Sequence, residues 1–168
     1  MAMTRIHCTQ AALLLAACSI AGAWIIQLLG YEPCVLCLRQ RVPYYTGVPI
    51  LAVALVVQRS ATWSLRQTGL VLRACALVIF GMSLLLAANH VGVEQGWWDG
   101  PASCVSRIFD TTSLDAFAAQ LGSAQMVSCK TPTFTMLGFS LAWWNAAVSA
   151  AILALLSYEI FAGSRRSD

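Results

Sequence analysis

Charge is scarce in this chain. Of its 168 residues, 10 are lysine or arginine and 7 are aspartate or glutamate, 10% in all, against about 25% in an ordinary soluble domain. The net charge of +3 is too small and too scattered to suggest a nucleic-acid partner. Internal repeats and low-complexity tracts are absent, as is any composition break that would mark a second domain. What fills the chain instead is apolar: 59% of it is hydrophobic. These features read as one small polytopic membrane domain over residues 1–168.

Residues 11–31 carry no charge, with Arg5 before them and Glu32 after. As a helix they would cover roughly 31 Å, enough to cross a bilayer core. A cleaved signal peptide is the rival reading, and Leu15-Ala16-Ala17-Cys18 even resembles a lipoprotein processing site. The apolar run continues, however, through Ile20, Trp24, Ile25, Ile26 and Leu29, where a processed leader turns polar. The uncharged stretch 42–58 is roughly 25 Å long as a helix and reaches bilayer thickness only if it starts near residue 34. After a polar turn over Arg59–Gln67, a third span covers about 69–93, with Arg73 near its start and His90 near its end. A fourth covers about 133–158. The loop between them, about 94–132, contains Thr112-Ser113-Leu114-Asp115, a capping signature. Leu114, Phe117, Ala118 and Leu121 then recur at helical spacing before Gly122, which predicts a short amphipathic helix on the membrane surface or packed on the loop itself. The expected fold is an all-α four-transmembrane-helix bundle whose long loop bears that short helix.

Two thiols and two cations stand at the head of the second span, in Cys34-Val35-Leu36-Cys37-Leu38-Arg39-Gln40-Arg41. Pro33 suits the first helical position, where its missing N–H is no loss. A helix begun there puts Cys34 and Cys37 one turn apart on one face and Arg41 one turn beyond. The exposed N–H groups of a first turn favour thiolate over thiol, and a nearby guanidinium adds to this. That chemistry suits a dithiol that is oxidised and reduced repeatedly. The competing reading is half of a zinc site. Haem attachment is excluded, because Leu38 stands where Cys-x-x-Cys-His needs histidine. Arginines at the membrane edge mark function unless they snorkel to headgroups; Arg39 reads as snorkelling and Arg41 as facing the cysteines. Pro43 and Pro49 are expected to bend this helix near its start.

Arg5, Arg59, Arg66, Arg73, Arg165 and Arg166 fall on one side of such a bundle, and Arg39, Arg41, Arg107 and Lys130 on the other. The positive-inside rule then puts both termini in the cytoplasm. The Cys34/Cys37 end and the long loop face outward, in a bacterium into the oxidising periplasm. Cys8 would be cytoplasmic, and Cys18 and Cys75 small mid-span fillers. The four outer cysteines allow two disulfides or one four-sulfur zinc site. Zinc is the weaker choice, because Cys104 and Cys129 lie 25 positions apart and form no second short-spaced pair; no metal is expected. A Cys104–Cys129 bridge would close a loop worth roughly 3.5 kcal/mol of chain entropy. It would serve as a staple, or as an exchange partner for the pair at the helix head, since thiolates attack disulfides through mixed disulfides.

Taken together, four spans, Cys-Val-Leu-Cys opening the second with Arg41 four residues after its second cysteine, and an outer loop with two further cysteines resemble the disulfide bond formation protein B (DsbB) family. Trp98-Asp99-Gly100-Pro101 before Cys104 and Gly138-Phe139-Ser140-Leu141 at the head of span four are similar to that family too. The resemblance covers roughly Ala11–Leu156. It implies a protein thiol:quinone oxidoreductase of the bacterial inner membrane. Such a protein reoxidises a periplasmic thioredoxin-like (DsbA-like) dithiol oxidase and passes the electrons to ubiquinone or menaquinone from the membrane lipid phase. It further implies Cys34–Cys37 and Cys104–Cys129 disulfides. Cys104 would take the partner in a mixed disulfide and Cys37 would meet the quinone. Arg41 would stabilise the Cys37 thiolate and the reduced quinone, and His90 would contact the quinone. Arg39, a second cation between Cys37 and Arg41, departs from the best-studied branch and leaves the quinone type open. A vitamin K epoxide reductase type protein is also a four-helix redox module, but it carries its Cys-x-x-Cys late in the bundle. A non-catalytic membrane subunit or small transporter with a structural loop disulfide is the alternative of another class; it gives Cys34, Cys37 and Arg41 no task. The arginine distribution makes a direct prediction: an impermeant thiol reagent on reduced, intact spheroplasts labels Cys104 and Cys129 and spares Cys8. Labelling of Cys8 alone would reverse the orientation.

Overall fold

A computed structural model describes residues 2–58, 63–101, 104 and 128–164. Four helices dominate it: α1 (Ala2–Leu28), α2 (Val35–Gln58), α3 (Trp63–Glu94) and α4 (Leu141–Ser164). Each contains a stretch long and apolar enough to cross a bilayer: His7–Leu28, Val35–Gln58, Gln67–Glu94 and Leu141–Phe161. α2 packs along α3, α3 along α4, and α1 against both α2 and α4. Chain neighbours are therefore spatial neighbours, and the contact of first with last helix closes an up-down-up-down ring. The amphipathic helix expected over 112–122 lies outside the described residues.

Helix boundaries follow local chemistry and depart from the expected spans in three places. α2 starts at Val35 rather than Pro33, because Cys34 takes the capping position. It then continues through Pro43 and Pro49 as a single element. α3 already begins at Trp63, inside the stretch expected to be a turn. Residues 63–67 contain neither glycine nor proline to stop it, and Thr68 Oγ1 donates back to the Ser64 carbonyl at 3.1 Å. α4 starts at Leu141, well after Thr133. Residues 135–140 instead form a minimal antiparallel hairpin, β1 (Thr135–Met136) against β2 (Phe139–Ser140). Its two turn residues, Leu137 and Gly138, both have positive φ, 54° and 83°, the pattern of a tight hairpin turn that favours glycine. Ser140 then caps α4, its Oγ accepting from the Trp143 N–H at 3.5 Å.

The core is a column of Ala12, Ala16, Tyr44, Leu51, Ala76, Phe80, Ile152 and Leu156. Tyr44 meets Phe80 edge-to-face with ring centroids 5.5 Å apart. Gly47 makes room for that ring: a Cβ there would lie 2.7 Å from Phe80 Cε2. Outward-facing Leu14, Ile25, Val56, Val78, Leu85 and Phe161 are mostly exposed, a belt suited to lipid rather than water.

At the end away from Cys34, one carboxylate gathers all four helices. Glu159 of α4, 2% exposed, accepts from Thr9 Oγ1 of α1 at 2.6 Å and from Gln58 Nε2 of α2 at 2.5 Å. Arg73 of α3 completes the set with Nη1 3.2 Å from Glu159 Oε1. A buried charge is tolerated only when paired and hydrogen-bonded, and here each partner comes from a different helix. Glu159→Ala removes the shared acceptor and should cost about 3–5 kcal/mol of stability, read by denaturant unfolding in detergent. Glu159→Gln, which keeps an acceptor oxygen, should cost less. A loss below about 1 kcal/mol for the alanine variant, the size of a surface ion pair, would mean that the cluster does not hold the bundle together.

Candidate redox site

The site is assembled on one face of α2. Cys37, Gln40, Arg41 and Tyr44 recur at helical spacing, and Cys34 stands just before the first turn. Its carbonyl accepts the Leu38 N–H at 3.1 Å, and its Sγ accepts the Cys37 N–H at 3.2 Å. Cys34 is thus the N-cap of α2, with sulfur in the role a serine or aspartate oxygen usually plays. Both thiols are free, with the sulfurs 2.7 Å apart. A Cys34–Cys37 disulfide is implied by the family resemblance, but here the sulfurs remain beyond the roughly 2.05 Å of such a bond. The two sulfurs are close enough to face each other for disulfide formation. The hydrogen bond from the Cys37 thiol holds the Cys34 thiol well below its ordinary pKa; burial works against this, and His90 adds to the lowering.

On one side of the pair lies the loop disulfide. Cys104 and Cys129 are joined, with Cα atoms 5.4 Å apart. They share a buried apolar cluster with Cys34, Leu36 and Val93, against which Cys37 packs. Cys104 is only 6% exposed. Gly100 lets this packing close up, since a Cβ there would stand 3.3 Å from the Cys104 sulfur.

On the other side of the pair is a mostly apolar cavity of about 410 Å³. Ile26 of α1, Cys37, Arg41 and Tyr44 of α2, and Trp144 and Asn145 of α4 are among its walls. This volume lies within the range of small-molecule sites. Arg41 is 9% exposed, whereas Arg39 is exposed. The Arg41 guanidinium donates from Nη1 to Gln27 Oε1 at 2.5 Å and from Nη2 to the Ala23 carbonyl at 3.1 Å. It also lies 5.5 Å from the Trp24 ring centroid. Its described partners are therefore on α1 and not the Cys37 sulfur. Arg41 and Cys37 meet as two walls of one cavity.

His90, which the resemblance names as a quinone contact, sits beside the thiol pair. It is 3% exposed and lines a small pocket on the Cys34 side, with Nε2 3.6 Å from Cys34 Sγ. The phase of α3 turns it toward the head of α2 rather than toward the cavity between α1, α2 and α4. Gln40 links the two regions. Its Nε2 lies 2.7 Å from His90 Nδ1, and its Oε1 accepts from Asn145 Nδ2 at 2.6 Å. Tyr44 Oη donates to Asn145 Oδ1 at 2.5 Å, Tyr44 and Ser149 are 3.2 Å apart, and Ser149 Oγ donates to Ser83 at 2.9 Å. Glu94 Oε1 stands 3.7 Å from His90 Nε2, and Ser140 Oγ donates to Glu94 Oε2 at 2.6 Å. Gln40, Asn145, Tyr44, Ser149, Ser83 and Glu94 did not emerge from the sequence as site residues. The available signal was the spacing of Asn145 and Ser149, and of Gln40 and Tyr44, four apart on otherwise apolar helices.

A buried dithiol at the head of a membrane helix, with a disulfide on one side and an apolar cavity on the other, defines a membrane-embedded thiol–disulfide redox protein. Residues 5–158 match the family model of disulfide bond formation protein DsbB, and the chain belongs to that family. It is a multi-pass membrane oxidoreductase of disulfide bond formation. The chain is also similar to uncharacterized protein RP370 of Rickettsia prowazekii (strain Madrid E), with 26% identity over 146 residues, 85% of this chain and 80% of that one. No solved structure matches it.

The capped, histidine-contacted Cys34 makes a pH prediction. In a reduced variant with Cys8, Cys18, Cys75, Cys104 and Cys129 replaced by serine, thiolate ultraviolet absorbance should show one equivalent persisting well below about pH 7, where an ordinary thiol is protonated. His90→Ala should move that step upward. A first step in the ordinary thiol range would mean that neither the cap nor His90 controls the sulfur.

Proposed function

We propose that this protein reoxidises a periplasmic DsbA-like dithiol oxidase and passes the electrons to a membrane quinone, ubiquinone or menaquinone. The observation that carries the reading is the position of the Cys34–Cys37 pair, shared between two neighbours. Cys34 packs with the loop disulfide, and Cys37 lines the apolar cavity. The subunit or transporter alternative offers no reason for that order.

The electron path then runs as follows. A thiolate of the partner attacks Cys104, forming a mixed disulfide and releasing Cys129 as thiolate. The partner's second thiol displaces Cys104, so the partner leaves oxidised and the loop pair is a dithiol. The loop dithiol reduces the Cys34–Cys37 disulfide through a second exchange and becomes a disulfide again. Cys34 and Cys37 as a dithiol hold two electrons and two protons, the amount that turns a quinone into a quinol. A quinone headgroup in the 410 Å³ cavity would have Cys37 as its electron donor. Arg41 would supply positive charge for the oxygen on which negative charge develops. His90 acts on Cys34 in this scheme and reaches the quinone only through Gln40. The membrane is the bacterial inner membrane, with both termini cytoplasmic and the cysteine end periplasmic.

The deciding experiment follows quinone absorbance with a reduced periplasmic thioredoxin-like oxidase as donor. Arg41→Ala should slow quinone reduction on the order of 10²–10³-fold, the effect of losing one oxyanion donor, while the partner's exchange with Cys104–Cys129 stays near normal in single turnover. Arg41→Lys should recover part of the rate, keeping charge without the planar fork. Arg39→Ala should change little. Equal losses for Arg39→Ala and Arg41→Ala would reduce both arginines to helix anchors. In Cys129→Ser, Cys104 should trap the partner as a stable mixed disulfide; trapping only through Cys34 or Cys37 would reverse the order of the path.

A further inference from the structure

We infer that the reduced Cys34–Cys37 pair, together with His90 and Glu94, forms a site for one zinc ion that exists only in the dithiol state. Its use as a brake on turnover rests on the electron path proposed above; the binding itself does not.

The donor atoms are already close to what zinc needs. One atom each from Cys34, Cys37 and His90 lies within 4.8 Å of the others. Cys34 Sγ and His90 Nε2 are 3.6 Å apart, and tetrahedral zinc with ordinary sulfur and nitrogen bond lengths separates such a pair by about 3.5 Å. His90 Nε2 and Glu94 Oε1 are 3.7 Å apart, against about 3.4 Å for two such nitrogen and oxygen ligands. Glu94 lies outside that close group of three, so its carboxylate must swing toward the sulfurs to complete the set, and the sulfurs must move as well. They stand at 2.7 Å, and two zinc-bound thiolates are roughly 3.8 Å apart, so Cys37 must turn away by about 1 Å. The sequence argument against zinc considered sulfur only. The fold adds a histidine and a carboxylate from the last turns of α3.

Two further observations favour an ion here. Cys34, Cys37, His90 and Glu94 all line one small pocket of about 20 Å³, room for a single water-sized occupant. The ligands are also held from behind. Gln40 contacts the second ring nitrogen of His90 at 2.7 Å, and Ser140 holds the second oxygen of Glu94 at 2.6 Å, the outer partners that orient metal ligands. With zinc on Nε2 the ring proton sits on Nδ1, and the Gln40 and Asn145 amides turn over together to accept it. Two sulfurs, an imidazole and one carboxylate select zinc over magnesium or calcium, which take oxygen sets. Binding is not a redox step. Each sulfur binds as a thiolate and forms a sulfur–zinc bond, so any proton it still carries leaves and no electrons move. The disulfide has no thiolate to offer and cannot hold the ion. Zinc therefore keeps the pair reduced and blocks its return to the disulfide.

The test uses the full chain in detergent with Cys104→Ser and Cys129→Ser, so that the loop thiols cannot compete. Cobalt added to the reduced protein should bind at one equivalent, with thiolate-to-metal charge transfer in the near ultraviolet and the intense visible bands of four-coordination. Zinc should abolish both. The oxidised protein should give neither. Glu94→Gln and His90→Ala should each weaken zinc roughly 10–100-fold, whereas Arg39→Ala should leave it unchanged. Absence of the charge-transfer band, the same band in the oxidised protein, or an affinity indifferent to both Glu94→Gln and His90→Ala overturns the site. With the loop cysteines intact, zinc should also stop quinone reduction, and a chelator should restore it. A reduced, metal-free protein that fails to reduce quinone would sink the electron path while the cobalt spectrum stands. Quinone reduction without a cobalt spectrum would sink the zinc site alone.

Discussion

A bilayer offers no water to a polar side chain, so the polar groups inside this bundle take partners within the protein, and the larger side chains take theirs on other helices. That constraint fixes the geometry more firmly than apolar packing, because lipid is as apolar as the residues it would replace. Two clusters meet it at opposite ends. Near the cysteines, Gln40 reaches His90 of α3 and Asn145 of α4, and Tyr44 carries the chain on to Ser149 and Ser83. At the far end Glu159 does the same for Thr9, Gln58 and Arg73. Between them the core is alanine, leucine, isoleucine and one phenylalanine, which sets spacing but little register. The polar pairs are what fix the rotation of each helix, and hence which side chains meet the dithiol.

The dithiol itself depends on a local device of the same kind. A first turn leaves N–H groups without helical partners, and here the Cys34 sulfur accepts one of them. Capping and thiolate stabilisation are thus one interaction. The reduced state of the pair and the start of α2 support each other, and oxidation must draw the same sulfur toward Cys37. His90 contributes from outside the helix, held in place by an amide that also forms a wall of the large cavity.

How much of this was legible depended on the range of the signal. The four spans followed from uncharged length, and the head of α2 from four residues in a row, Cys34 to Cys37. The short-range departures have local causes: Cys34 and Ser140 cap their helices, and residues 63–67 lack a helix breaker. The pairings of Thr9 with Glu159, of Gln40 with Asn145, and of Cys34 with His90 join residues 150, 105 and 56 positions apart, and no periodicity encodes them. Arg41 is the instructive case. Its spacing from Cys37 puts both residues in the wall of one cavity, but a long guanidinium reaches several ångströms, and its bonds go to Gln27 and Ala23 of α1. The cavity could not be read at all, because a void is a property of how four surfaces fail to meet.

The Glu159 cluster also bears on how the chain is made. Thr9, Gln58 and Arg73 belong to the three spans synthesised first, and the carboxylate they share arrives near the end of the fourth. Until then the earlier helices meet one another through polar bonds at the cysteine end, Arg41 with Gln27 and Gln40 with His90, but not at the far end. Insertion and assembly are therefore separate events, and the ring of helices locks only when the last turns of α4 leave the translocation machinery. A chain stopped short of Glu159 would leave Thr9, Gln58 and Arg73 without the carboxylate they share.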